Sequence, residues 1–513
     1  MPSRRPFDPA APRGLKAENF RRIAEGGFGD PHNSYPHSMG WFKNKLYVGT
    51  TRMTQITLQV VDFYKAKGLP VKLVEGPDTP AELYKMDRRA QLWCYDPETG
   101  HWEMVFQSPM IMGSKDFMVA REVGYRGMAV FQGESDPEPV LYVATWAPGL
   151  APGPIIIRSE DGKNFTKVSD WGILGLPVTT TRLLIPFKGG LFTSPTGTKG
   201  DCNFSSVPVT YVSRDPANGN WVPASSPGFG DETNEGVWMM CVFNDYLYAG
   251  TVNCQGFQVW RTDGEGKPPF HWTLVVDKGA YRGPKNQCAF SMEVFKDALF
   301  VGTGIMNGGF DVKNNIGPAG SEVIRINADG SWDLIVGLAR DTPKGRIRPL
   351  SSLTPGFNNL FNGYFWRMAV HEDWLYLCTC NILSLLLYWS ADLVKGQHPA
   401  LDYIGIDTMV NNQSGFEIWR TWDGESWLPV TKNGFGNRFN IGGRNMISTK
   451  YGLFIGVPNP FAPRVAIRRN GQWQYFDNRR GGLEVWLGSR KHNEPIPHVA
   501  DFGNELNEPL QVS

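Results

Sequence analysis

One phrase recurs along this chain and constrains the fold more than any other feature. It is an apolar strand, a polar turn of two or three residues, then Leu-Tyr/Phe-x-Gly/Ala-Thr. The copies are SMGWFKNKLYVGT (38–50), GMAVFQGESDPEPVLYVAT (127–145), LLIPFKGGLFTS (183–194), MMCVFNDYLYAGT (239–251), SMEVFKDALFVGT (291–303), RMAVHEDWLYLCT (367–379) and NMISTKYGLFIGV (445–457). Aligned, they place Met39, Met128, Met240, Met292, Met368 and Met446 in one column, with Leu184 in the seventh copy. A shared apolar residue at one strand position in every copy is what a ring of inner strands packed unit on unit requires.

A second phrase follows most copies: an apolar strand, a turn, then a strand with an aromatic start. Examples are QLWCYDPETGHWEMVF (91–106), IIIRSEDGKNFTKVS (155–169) and FEIWRTWDGESWLPVT (416–431). The Asp-Gly and Thr-Gly pieces are hairpin turns, because Gly supplies the positive φ they need. Each unit therefore reads as four antiparallel strands. The whole resembles the seven-bladed β-propeller superfamily, with blades of Kelch or WD40 type. That resemblance implies an all-β single domain over 1–513. The last copy ends in a third strand, GGLEVWLGS (481–489). The missing fourth is expected from the N-terminus, where NFRRIAEGGFGD (19–30) resembles WLPVTKNGFGN (427–437), so that 18–30 closes the ring and removes its free sheet edges. The turns SEDGKNF (159–165) and TWDGESW (421–427) resemble sialidase Asp boxes one residue short, and only as turns; FRRIA (20–24) does not supply the matching arginine–proline motif.

Composition narrows the partners. Lys plus Arg number 51 and Asp plus Glu 50. This balance lacks the basic footprint of a nucleic-acid binder. The first twenty residues have no apolar secretory core, and no run spans a bilayer. The seven Cys lack framework spacing. A cytoplasmic protein with reduced thiols is expected. Cys378-x-Cys380 is too tight for a zinc knuckle, and the eight His are scattered, so no metal and no cofactor is expected. Cys202, Cys254, Cys288 and Cys380 lie near strand ends, as buried thiols or as soft-metal or nucleophile candidates.

Candidate site residues come from columns. Two residues before the Met column stand His37, Arg126, Arg182, Trp238, Phe290, Trp366 and Arg444; the next column holds Ser38, Gly127, Leu183, Met239, Ser291, Arg367 and Asn445. In a ring, several cations then converge on one rim. Guanidinium forks suit carboxylate or phosphate; alternatively the arginines pair with acids such as Glu122 and Glu235. Beyond the second strand, Arg52, Asn253, Asn381 and Asn459 share a position, as ligand contacts or as turn caps. His32 and His37 flank Tyr35, which makes a proton-transfer pair or a packed strand entrance. His37, Tyr35 and Glu235 are the acid/base candidates.

Four connections between second and third strands are long: 51–90, 304–320, 380–414 and 458–481. Long loops in a compact domain tend to be lids or binding loops. The stretches ITLQVVDFYKAKG (56–68) and ILSLLLYWSADLV (382–394) are apolar, so that Val60, Phe63, Leu386 and Trp389 could meet as a roof over the mouth, pack on each other, or form a homodimer contact. Two functions fit: an enzyme acting on a small amphiphilic or anionic organic molecule, or a non-catalytic platform for a protein or glycan.

Overall fold

The computed structural model describes residues 13–52, 86–198, 210–311, 314–386, 399–462, 464–469 and 472–495. Strands dominate, and the recurring phrases form antiparallel units. In the first, Asn33–Phe42 pairs with Lys45–Arg52, that strand with Gln91–Asp96, and that with His101–Gln107. Four-strand antiparallel units likewise begin at Gly124–Phe131, Ile185–Phe187, Gly236–Phe243, Cys288–Phe295 and Asn362–His371. The opening hairpins turn on Lys43-Asn44, Asn244-Asp245, Lys296-Asp297 and Glu372-Asp373, all at positive φ. This is the two-residue turn whose twist matches that of the strands.

The unit that begins at Asn445–Thr449 continues through Gly452–Val457 to Glu484–Gly488, and its fourth strand is Phe20–Ala24 from the other end of the chain. Phe20 and Leu15 are buried there, and the Leu15 carbonyl accepts a 2.6 Å hydrogen bond from Arg420 Nη1. The sequence likeness between 19–30 and 427–437 thus marks a real equivalence.

Successive first strands lie against one another in chain order, and Asn445–Thr449 lies against Asn33–Phe42. The glycine of the Leu-Tyr-x-Gly-Thr phrase lets the units approach so closely. A Cβ on Gly49 would stand 2.6 Å from that of Tyr125, and one on Gly250 would stand 2.5 Å from that of Ala289. No rotamer change relieves such a contact. Met39, Met128, Met240, Met292, Met368 and Met446 all occupy the same register, opposite Val48, Val143, Ala249, Val301, Leu377 and Ile455.

A third recurring device sits between a fourth strand and the next first strand. Gly27-Phe28-Gly29, Gly228-Phe229-Gly230, Gly279-Ala280-Tyr281, Gly356-Phe357-Asn358 and Gly434-Phe435-Gly436 are each three consecutive left-handed residues. Phe28, Phe357 and Phe435 stack on Trp93, Trp419 and Trp486 at 4.5, 4.5 and 4.3 Å. Each indole donates to the residue two before it, Gln91, Glu417 or Glu484. Buried polar groups at the unit ends are satisfied this way.

The long connections take varied forms. The first insertion is described only at its ends, so Val60 and Phe63 lie outside the described residues, as does Trp389. In the 380–414 connection, Leu383–Leu386, Pro399–Ile404 and Ile406–Gln413 are short helices. Leu386, Met409 and Val410 are buried, whereas Tyr403 is 90% exposed. The 458–481 connection carries a hairpin, Arg464–Arg469 with Gln472–Asp477. A further long connection follows Gly190–Thr193; its strand Pro195–Thr198 pairs back onto Val178–Thr181. The candidate shared roof therefore falls on residues largely outside the described ones.

Candidate functional site

A register shift in the first strands builds the site. Between Tyr125 and Gly127 the pairing skips Arg126; elsewhere it skips His37, Trp238, Phe290 and Trp366 in the same way. Each is the extra residue of a β-bulge, a device that re-aims a side chain out of the pleat. The column noted in sequence is thus a column of bulges. Arg182 and Arg444 reach the same position by hydrogen bonds of their backbone N–H groups to Ser194 and Gly456.

These residues converge. A water-accessible cavity of about 70 Å³ is lined by Arg126, Arg182, Trp238, Phe290 and Arg444 from the bulge column, and by Ser38, Met239, Arg367 and Asn445 from the next. Aromatic rings run beside it, from Trp146 through His37, Tyr35, Trp366, Tyr364 and Phe290 to Trp238, with neighbouring centroids 4.2–6.3 Å apart. Arg126 closes the gap, 5.5 Å from the Trp146 ring and 6.0 Å from Trp238. Arg182 lies 3.1 Å over Trp238 and Arg444 5.4 Å from Trp366.

The electrostatics are unbalanced. Among the described residues neither Arg182 nor Arg444 has an ion-pair partner, and the buried Arg182 Nη1 and Trp238 Nε1 have no hydrogen-bond partner. Burial, then the charges of Arg126 and Arg444, hold Arg182 well below the ordinary guanidinium value. Burial, then Arg126 and Arg367, bring Arg444 down to about 9, still a cation at neutral pH. Indole faces return about 0.5–2 kcal/mol to each cation. Desolvation takes several kcal/mol from each, so the ring stays short of negative charge.

Glu122 and Glu235 have contacts away from Arg182 and Arg444. Glu122 pairs with the neighbouring Arg121. Glu235 accepts from Cys254 at 3.3 Å and does not line the cavity. The acid that does face a ring member is Glu293, missed by the two-column reading. Strand period 2 would have found it, since it stands two residues past Ser291 on one face. Burial raises its carboxyl to about 7, against the pull of Arg367.

His37 Nδ1 is bonded to Thr51 Oγ1. Burial, then Arg126, Arg444 and Arg182, hold its imidazole well below the usual value, so it is neutral at pH 7. Burial pushes the Tyr35 phenol up. Their rings meet edge-on at 6.3 Å. The remaining candidates serve turns. Asn253, Asn381 and Asn459 each accept from the backbone N–H two residues on and donate to Asn234, Asn362 and Asn440. Arg52 pairs with Asp30 at 2.6 Å. No group of three or more His, Cys, Asp or Glu suits a metal among the described residues, and no described helix is long and apolar enough to cross a membrane. The Asp-box-like turns are self-contained: Asp161 Oδ1 accepts from Lys163 and Asn164, and Asp423 Oδ1 from Glu425 and Ser426.

No family model matches the chain, and no curated protein matches it. Among solved structures it is similar to a prolyl endopeptidase (TM-score 0.38, 11% identity, 82% of this chain and 46% of that one). It thus spans less than half the length of that protein. It is also similar to a putative 6-phosphogluconolactonase from Bacteroides fragilis (0.35, 12%, 77% and 88%) and to an α-L-arabinanase from Penicillium chrysogenum (0.33, 12%, 69% and 90%). At these TM-scores the likenesses carry no argument about activity or blade number.

Proposed function

We propose that the units close into one seven-bladed β-propeller and that its axial cavity binds a small organic molecule by an anionic end. The adjacency of first strands in cyclic order and the sheet shared by both chain ends support the ring. One observation carries the binding reading: buried arginines from different units converge on one cavity, and among the described residues Arg182 and Arg444 have no acid partner. An enzyme is the preferred form. His37, on the aromatic wall beside the cavity and not in its lining, is its base, neutral and bonded to Thr51, and Tyr35 its protonated neighbour. Glu235 has no part in it.

A buried cation without a partner destabilises the empty protein, so a neutral replacement separates binding from folding. Arg182→Met and Arg444→Met should abolish retention of an acidic small molecule, read by native mass spectrometry of the purified chain, while the melting temperature holds or rises. A lower melting temperature with retention unchanged would point to a structural role and sink the reading. The platform alternative rests on one feature, the hairpin Met110–Met112 with Met118–Ala120, on which Met112 and Met118 are 58% and 46% exposed.

A further inference from the structure

The polar atoms at the cavity name the kind of anion it suits. The charged lining groups are all donors. Arg126, Arg182, Arg367 and Arg444 have no acceptor atom in their side chains. Trp238 Nε1, buried and without a hydrogen-bond partner among the described residues, adds a donor, whereas Ser38 Oγ and Asn445 Nδ2 already donate to the Tyr125 and Pro36 carbonyls at 2.5 Å. An occupant must therefore be rich in acceptors.

Charge and direction narrow it further. Among the described residues Glu293 opposes Arg367, while Arg182 and Arg444 have no acid partner, which leaves an excess of positive charge that one monoanion does not cancel. The four lining arginines come from units that begin at Gly124, Ile185, Asn362 and Asn445, so they approach the axis from several sides. A carboxylate holds its acceptors in one plane at one edge and is met best by a single fork. A tetrahedral oxyanion points oxygens in every direction and offers each arginine its own acceptor. Arg182 Nη1, buried and unpartnered, is one donor such an oxygen would satisfy.

We propose that the axial cavity binds a dianionic tetrahedral oxyanion, a phosphate group carried by a small monoester or present as free phosphate. This rests on the anion-site reading above and deepens it.

Calorimetric titration of the full chain tests it, with inorganic phosphate, phenyl phosphate, acetate and succinate at one ionic strength. Phosphate or phenyl phosphate should bind one to one, at least tenfold tighter than either carboxylate. Arg182→Met and Arg444→Met should each weaken that binding about tenfold to a hundredfold, the range of a charged hydrogen bond. Phenyl phosphate the tighter of the two identifies an ester as the source; phosphate equal or tighter identifies the free anion. Both results support the class. Succinate or acetate binding more tightly than phosphate overturns the tetrahedral assignment and leaves the anion site standing. No binding by any of the four overturns both. The anion series on the unmodified chain decides these outcomes even if a variant fails to fold.

Discussion

Glu293 gives the site a pH signature that its arginines lack. Its carboxyl titrates near 7, raised by burial and opposed by Arg367. Below that value it is neutral and Arg367 is unopposed; above it, the carboxylate competes for Arg367 with an incoming anion. Anion affinity should therefore fall as pH rises through about 7, and Glu293→Gln should flatten the profile. Sulfate is the probe for this measurement because its own charge does not change there. A wild-type affinity that is constant across that range would exclude Glu293 from the site. The same shift has a stability sign. The folded value lies above the ordinary 4.5, so the contribution is fully present below 4.5 and is lost as pH rises through about 7. His37 runs the other way: its imidazole is held low, so acid forces a charge into a buried, cation-rich place and weakens the fold. Arg126, Arg182 and Arg444 were legible in sequence because one residue type recurred at one column. Glu293 recurs in no column, being the single acid among Gly40, Ala129, Cys241, Ala369 and Ile447, and only its period-2 relation to Ser291 marks it.

At the scale of the element, the left-handed turns test whether backbone shape or side-chain contact sets the unit ends. Gly434 and Gly26 share a left-handed φ, 62° and 58°. A Cβ on Gly434 would lie 2.5 Å from the Asn437 carbonyl oxygen, whereas one on Gly26 meets nothing within 4 Å. Gly26→Ala should then lose only the left-handed preference, about 1–2 kcal/mol. Gly434→Ala should lose at least about 1 kcal/mol more, because backbone must shift. Urea unfolding of the two variants checks the difference, and equal losses would show that the contact is relieved at no expense. The hairpins and the Met register were readable from apolar pattern and turn residues alone. The bulges were not. One extra residue leaves the apolar spacing of a strand intact and appears only in its pairing, so the column looked like an ordinary strand start. The column of Arg52, Asn253, Asn381 and Asn459 kept two readings in sequence for a related reason: asparagine that bonds its own turn has the same spacing as asparagine that meets a ligand.

For the whole molecule, the decisive joint is the strand Phe20–Ala24 against Glu484–Gly488. Phe20 is 2% exposed and stacks near Phe435 at 5.2 Å, and Trp102 Nε1 of the first unit donates to the Ile23 carbonyl at 2.8 Å. The segment is therefore tied to both of its flanking units. Phe20→Ala should destabilise the protein by about 3–5 kcal/mol, and deletion of residues 1–30 by more, with both read from thermal melts. A truncated chain that melts like the full one would show that the joint contributes nothing. This arrangement also orders events in time. During synthesis Phe20–Ala24 emerges well before its sheet partner Glu484–Gly488, so an apolar strand must wait for its mate until all the units between them have been made. Earlier units have every strand in hand as they leave the ribosome and can fold as they appear. The chain therefore carries one exposed, sticky strand until Glu484–Gly488 appears, and chaperone dependence should concentrate there.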